Sequence, residues 1–119
     1  MNKEFILYEQ ALALKELGFD EQCFSFYDSD GGLYESEGYY KKGYNVSDEE
    51  VIAPLYQQAF RWFREKYKVS PIITCYSELR NAWKYHIPNE GGEQGFNTYE
   101  EAELACLKKL IEIVKENKQ

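Results

Sequence analysis

Cysteine, proline, histidine and methionine are scarce in this chain of 119 residues, which has three, three, one and one of them. Cys23, Cys75 and Cys106 are odd in number and lie far apart. A metal site wants closely spaced ligands, and a secreted disulfide framework wants an even, denser set. Each has an apolar neighbour (Phe24, Tyr76, and Ala105 with Leu107), so each reads as a small buried hydrophobe in a reducing cytoplasm. His86 stands alone, and no Ser-His or Cys-His pair is identifiable from sequence order, because such partners meet in space. Glycine-rich phosphate loops, dinucleotide fingerprints and zinc-protease helices are missing. No apolar run approaches the ~20 residues of a membrane helix, and no signal-peptide pattern opens the sequence. We therefore expect no catalytic residues, no metal, no cofactor and no membrane contact.

Positive charge is also in short supply. Fourteen basic residues face twenty-one acidic ones, a formal charge of −7. Sequence-independent binding of nucleic-acid phosphates needs a cationic face, so no nucleic-acid partner is expected. The deficit is local. Between Asp20 and Glu50 nine acids (Asp20, Glu21, Asp28, Asp30, Glu35, Glu37, Asp48, Glu49, Glu50) stand against Lys41 and Lys42, while the remaining twelve acids and twelve bases cancel.

Aromatics, by contrast, are abundant: eleven Tyr, seven Phe and two Trp make up 17% of the chain. They provide enough apolar area for a core, and the length suits one domain spanning residues 1–119. A helix is predicted from about Lys3 to Leu17, stopped by Gly18. Ile6, Leu7, Ala13, Leu14 and Leu17 cover one side of it; Phe5, Tyr8 and Leu12 form a second apolar patch, which allows a homodimer through helix 3–17. Cys23–Tyr27 alternates as a strand. Asp28-Ser29-Asp30-Gly31-Gly32 resembles the start of a calcium loop, but Gly32, Leu33 and Tyr39 occupy the fifth, sixth and twelfth positions, where that loop needs Asp or Asn, Gly and Glu. A turn in which Asp caps its own backbone is the better reading.

Leu33–Tyr44 holds four tyrosines among glycines and charges of both signs, and reads equally as a twisted edge strand or a partly ordered loop. Ser47–Glu50 has capping-box spacing, with Pro54 separating that turn from an amphipathic helix running to about Lys68. Gln57, Arg61, Arg64 and Lys68 line its polar side. Ile72–Tyr76 and Ala82–Ile87 read as an antiparallel hairpin. Asn89–Asn97, with three glycines, reads as a mobile loop, and a capping box at Thr98–Glu101 opens a last helix from Tyr99 to about Glu116. The predicted fold is α+β: three helices packed on a small, largely antiparallel sheet, in the order α-β-(β)-α-β-β-α. Double-stranded-RNA-binding domains share the α-β-β-β-α theme. This chain places an extra helix within the strands, and Glu100, Glu101 and Glu103 begin its final helix, where they would repel phosphate.

Two stretches, Ala53-Pro54-Leu55-Tyr56-Gln57-Gln58-Ala59-Phe60-Arg61-Trp62-Phe63-Arg64-Glu65-Lys66-Tyr67 and Thr98-Tyr99-Glu100-Glu101-Ala102-Glu103-Leu104-Ala105-Cys106-Leu107-Lys108-Lys109-Leu110-Ile111, resemble small uncharacterised proteins of phage and mobile elements in gut bacteria. That resemblance covers two helices, about a quarter of the chain. It implies an intracellular accessory protein with no assigned reaction, for which binding a host or phage component is a reasonable role.

The expected function is thus a small cytoplasmic, non-enzymatic protein-interaction module. Its expected surface is the acidic, tyrosine-rich segment Asp28–Glu50. Tyr34, Tyr39, Tyr40 and Tyr44 would be contact anchors, and Asp30, Glu35 and Glu37 steering charges for an unknown protein partner. The alternative is a ligand-binding protein or small enzyme with a pocket near Trp83, Tyr85 and His86.

Overall fold

The computed structural model describes residues 4–40, 46–77, 79 and 82–117. The fold is α+β with three helices, as expected, but the strands form two three-stranded antiparallel sheets in place of one. The chain divides into two compact units, Met1–Ala59 and Phe60–Gln119.

The first unit contains α1 (Tyr8–Glu16) and a sheet of β1 (Cys23–Tyr27), β2 (Leu33–Tyr40) and β3 (Val51–Ile52), in the order β2-β1-β3. Helix α1 starts five residues later than the sequence suggests. Phe5 bridges Leu55, the Ile6 amide donates to the Pro54 carbonyl at 3.0 Å, and the Tyr56 amide donates to the Glu4 carbonyl at 2.9 Å. This pairing keeps residues 4–6 out of the helix, and local helix propensity loses to it. The helix ends as expected. Gly18 takes φ +99°, and the amides of Gly18 and Phe19 return to the carbonyls of Lys15 and Leu14. Leu14, Leu17 and Phe19 are buried there.

The β1–β2 hairpin closes through Asp28. Its amide donates to the Gly32 carbonyl, and Gly31 takes φ +86°, which a residue with a side chain adopts only at a cost. Residues 48–50 make the expected turn. The Ser47 amide donates to Glu50 Oε1 at 2.9 Å, which is half of a capping box, and no helix follows. The Lys15 ammonium donates to the carbonyls of Asp48 and Glu50, tying this turn to α1. Inward positions of β1 carry Cys23, Ser25 and Tyr27, and the Tyr27 hydroxyl donates to the Ile6 carbonyl at 2.7 Å.

Helix α2 (Tyr56–Tyr67) begins in the first unit and ends in the second. The second unit continues with β4 (Ile72–Ser77), β5 (Ala82–Ile87), β6 (Gly91–Phe96) and α3 (Tyr99–Asn117), its sheet ordered β4-β5-β6. β6 occupies the segment expected to be a mobile loop. The Glu90 amide donates to the Ile87 carbonyl across Pro88-Asn89, with Asn89 at φ +70°, the signature of a type II turn. Gly95, at φ +95°, is the extra residue where the β5–β6 register shifts. α3 packs on this sheet and buries Ala102, Cys106, Leu107, Leu110, Ile111, Ile113 and Val114. Its start is capped as expected. The Glu101 amide donates to Thr98 Oγ1, and Glu101 Oε1 accepts from the Asn97 amide.

Candidate functional site

The strand period sets the outer face of the first sheet. With Cys23, Ser25 and Tyr27 inward, Phe24 and Phe26 point outward on β1, and the Phe26↔Tyr34 pairing places Tyr34 beside Phe26. Phe26 stacks on Tyr34 with centroids 5.2 Å apart and planes at 18°, and meets Tyr40 edge-on at 4.6 Å. Phe24 is 54% exposed and Tyr34 50%, an aromatic row that solvent reaches.

Carboxylates gather at the Tyr34 end of this row. Asp28 Oδ1 accepts from the Gly32 amide at 2.8 Å and the Asp30 amide at 2.9 Å, and the Tyr34 hydroxyl also donates to Asp28. The Gly32 amide first and the Tyr34 hydroxyl second hold the Asp28 carboxyl below its ordinary range, so it is an anion at neutral pH. In turn, its hydrogen bond to Asp28 raises the Tyr34 phenol above its ordinary value, with the Asp28 charge next and smaller contributions from the charges of Asp30 and Glu50. Asp28 is committed to shaping the turn. The Asp30 carboxylate is exposed and has no hydrogen-bond or ion-pair partner among the described residues.

Of the residues expected to bind a partner, Tyr34 and Tyr40 come together on Phe26, and Asp30 lies within the electrostatic reach of Tyr34. Glu35 is exposed but pairs with Ser25, so it projects from the other face of the strand. The side chains of Glu37 and Tyr39, and all of Tyr44, lie outside the described residues. Sequence reasoning missed Phe24 and Phe26 as members of this surface; Asp28 and Glu50 bound the expected segment but are not among its expected contacts. The alternation of Cys23–Tyr27 announced Phe24 and Phe26 as one face, without saying which face is solvated.

The second expected pocket does not assemble as one group. Alternation places Trp83 and Tyr85 on the α3 side of β5, and His86 with Lys84 on the other. Trp83 meets Tyr99 edge-on at 5.4 Å, and the buried Tyr85 donates its hydroxyl to Glu93 Oε1 at 2.8 Å. Burial, then this bond, raises the Tyr85 phenol. An open hollow of about 490 Å³ is lined by Lys84, Tyr85, His86, Gly92, Glu93 and Gln94, without Trp83. His86 is exposed and has no hydrogen-bond or ion-pair partner among the described residues.

Other candidates are quieter. Cys23 and Cys106 are buried, and burial pushes both thiols up to about 12, which keeps them neutral and unreactive. Among the described residues, no group of three His, Cys, Asp or Glu side chains is placed to hold a metal ion. Gln57, Arg61, Arg64 and Lys68 form an exposed or half-exposed stripe on and just after α2. The apolar patch expected to make a homodimer through helix 3–17 is largely used inside the first unit: Phe5 is buried beyond the helix, and Tyr8 meets Tyr27 edge-on at 5.5 Å. From α2 onward the order is α-β-β-β-α, so the extra helix does not interrupt those strands; the acids opening α3 remain. Among the described residues no helix is long and apolar enough to cross a membrane.

Comparison with models of protein families, with curated proteins and with solved structures finds no match to this chain.

Proposed function

We propose that this chain is a non-enzymatic protein-interaction module, an accessory protein of the phage or mobile-element kind, which binds a protein partner through the outer face of β1–β2. The observation that carries this reading is the solvent-reached row of Phe24, Phe26, Tyr34 and Tyr40 on a hairpin whose turn is rigidified by Asp28. Aromatic side chains give broad contact area for few frozen rotors, and a row already stacked has lost that freedom on folding. The surrounding acids supply orientation and on-rate. The competing ligand-pocket reading has less behind it, because the hollow beside His86 is open and its carboxylate, Glu93, is engaged by Tyr85.

The test is capture from a bacterial lysate with partners identified by mass spectrometry, comparing the parent with a Phe24→Ser/Tyr34→Ala variant. Loss of specific partners from the folded variant is expected. If the folded variant, checked by circular dichroism, captures the same proteins in the same amounts, the reading is refuted.

A further inference from the structure

Resting on that reading, we infer that the partner's contact element is an arginine side chain, laid over the exposed Tyr34 ring and donating to the carboxylates beside it, Asp30 first. Three observations converge. One face of Tyr34 is taken by Phe26, stacked at 18°, yet the residue stays 50% exposed, so its remaining surface is open to a flat group. The charges of Asp28, Asp30 and Glu50 all act on the Tyr34 hydroxyl, so the ring lies in a negative field. The Asp30 carboxylate is exposed and has no hydrogen-bond or ion-pair partner among the described residues, so none of them neutralises it.

An aromatic face attracts cations through its quadrupole, and adjacent carboxylates add to that attraction. Arginine and lysine differ at such a place. The guanidinium is planar and weakly hydrated, and it stacks on a ring while its in-plane N–H groups reach a carboxylate; an ammonium satisfies either contact as a point charge and loses more hydration. The occupant is therefore a peptide segment that presents arginine, and the site prefers it over lysine.

The probe is a short, otherwise uncharged Gly/Ser peptide carrying two arginines, titrated into the isotope-labelled full chain and followed by NMR, with a twin carrying two lysines. The arginine peptide is expected to move the ring signals of Tyr34 and Phe26, and to bind at least threefold more tightly than its twin. Tyr34→Ala and Asp30→Asn should each weaken it threefold or more, while Tyr34→Phe, which keeps the ring, should retain most of the affinity. Equal affinity for the two peptides, equal affinity in the folded Tyr34→Ala variant, or signal changes confined to another surface overturns the proposal. So does absence of binding. If the peptide fails while lysate capture still depends on Tyr34 and Phe24, the arginine assignment falls and the interaction face stands.

Discussion

Glu103 tests how the core of the second unit is held. Its side chain is 6% exposed on α3. Burial, and after it the charge of Glu100, push its carboxyl up to about 7 from an ordinary 4.5, against an opposing hydrogen bond from Tyr99. The folded chain therefore holds this proton more tightly than the unfolded chain does. With that sign, the stability associated with Glu103 is greatest below about 4.5, falls as pH rises to about 7, and levels off above. At ~1.4 kcal/mol per pH unit, the whole shift corresponds to about 3 kcal/mol, an order-of-magnitude ceiling.

Glu103→Gln removes the charge and keeps a carbonyl oxygen to accept from Tyr99, although its added amide donor takes back part of the gain. We expect the variant to be about 1–3 kcal/mol more stable than the parent at pH 8 and nearly equal to it at pH 4.5. Its neighbours do not blur this window. The Cys106 thiol is pushed up to about 12, and the phenols of Tyr85 and Tyr99 are raised, so all three stay neutral up to pH 8. Urea unfolding read by tryptophan fluorescence suits the experiment, because Trp62 and Trp83 both lie in Phe60–Gln119. A variant no more stable than the parent at pH 8, or an equal difference at both pH values, refutes the argument.

Two further outcomes follow from backbone geometry and from a buried bond. A Cβ on Gly92 would sit 2.1 Å from the Tyr85 carbonyl oxygen, whereas one on Gly91 would meet nothing within 4 Å and suffer only from φ +98°. Gly92→Ala should therefore cost about 2–3 kcal/mol or more, and Gly91→Ala about 1 kcal/mol, in the same fluorescence-monitored unfolding; equal costs contradict the close approach. In the first unit, Tyr27→Phe removes the hydroxyl that satisfies the buried Ile6 carbonyl and should cost about 1–2 kcal/mol. It should also speed hydrogen exchange at the Ile6 amide, which bonds to Pro54; unchanged exchange and stability would show that the bond contributes nothing.

How much of the fold the sequence reveals depends on whether its cause is local. The Gly18 stop, the Asp28 turn and the Thr98 cap are local, and all three are read correctly because each needs a particular residue at a particular offset. The start of α1 is misread because Glu4, Phe5 and Ile6 are held out of the helix by Leu55 and its neighbours, about fifty residues away in sequence. β6 is missed for the opposite reason. Gly91-Gly92-Glu93-Gln94-Gly95-Phe96 has poor strand propensity, and its register against β5 makes the strand. Pro88-Asn89 was the available clue, since proline followed by a residue tolerant of positive φ predicts the turn that folds this segment back.

On the outer face of β1–β2, the question left open by sequence is one of parity. A strand reading Cys23-Phe24-Ser25-Phe26-Tyr27 offers a Cys/Ser/Tyr face and a Phe/Phe face, and transfer energies alone would bury the phenylalanines. Two interactions favour the other arrangement. The Tyr27 ring is met edge-on by Tyr8 at 5.5 Å while its hydroxyl reaches the Ile6 carbonyl, a combination that phenylalanine would not complete. The Asp28–Gly32 turn fixes Tyr27 opposite Leu33, so Phe26 falls opposite Tyr34 and the outward aromatics become neighbours. One structural carboxylate thus sets the register that assembles the row and contributes to the field around its Tyr34 end. The segment is recognisable from sequence as acidic and aromatic, but which of its faces is solvated follows from the contacts of Tyr27 and a turn.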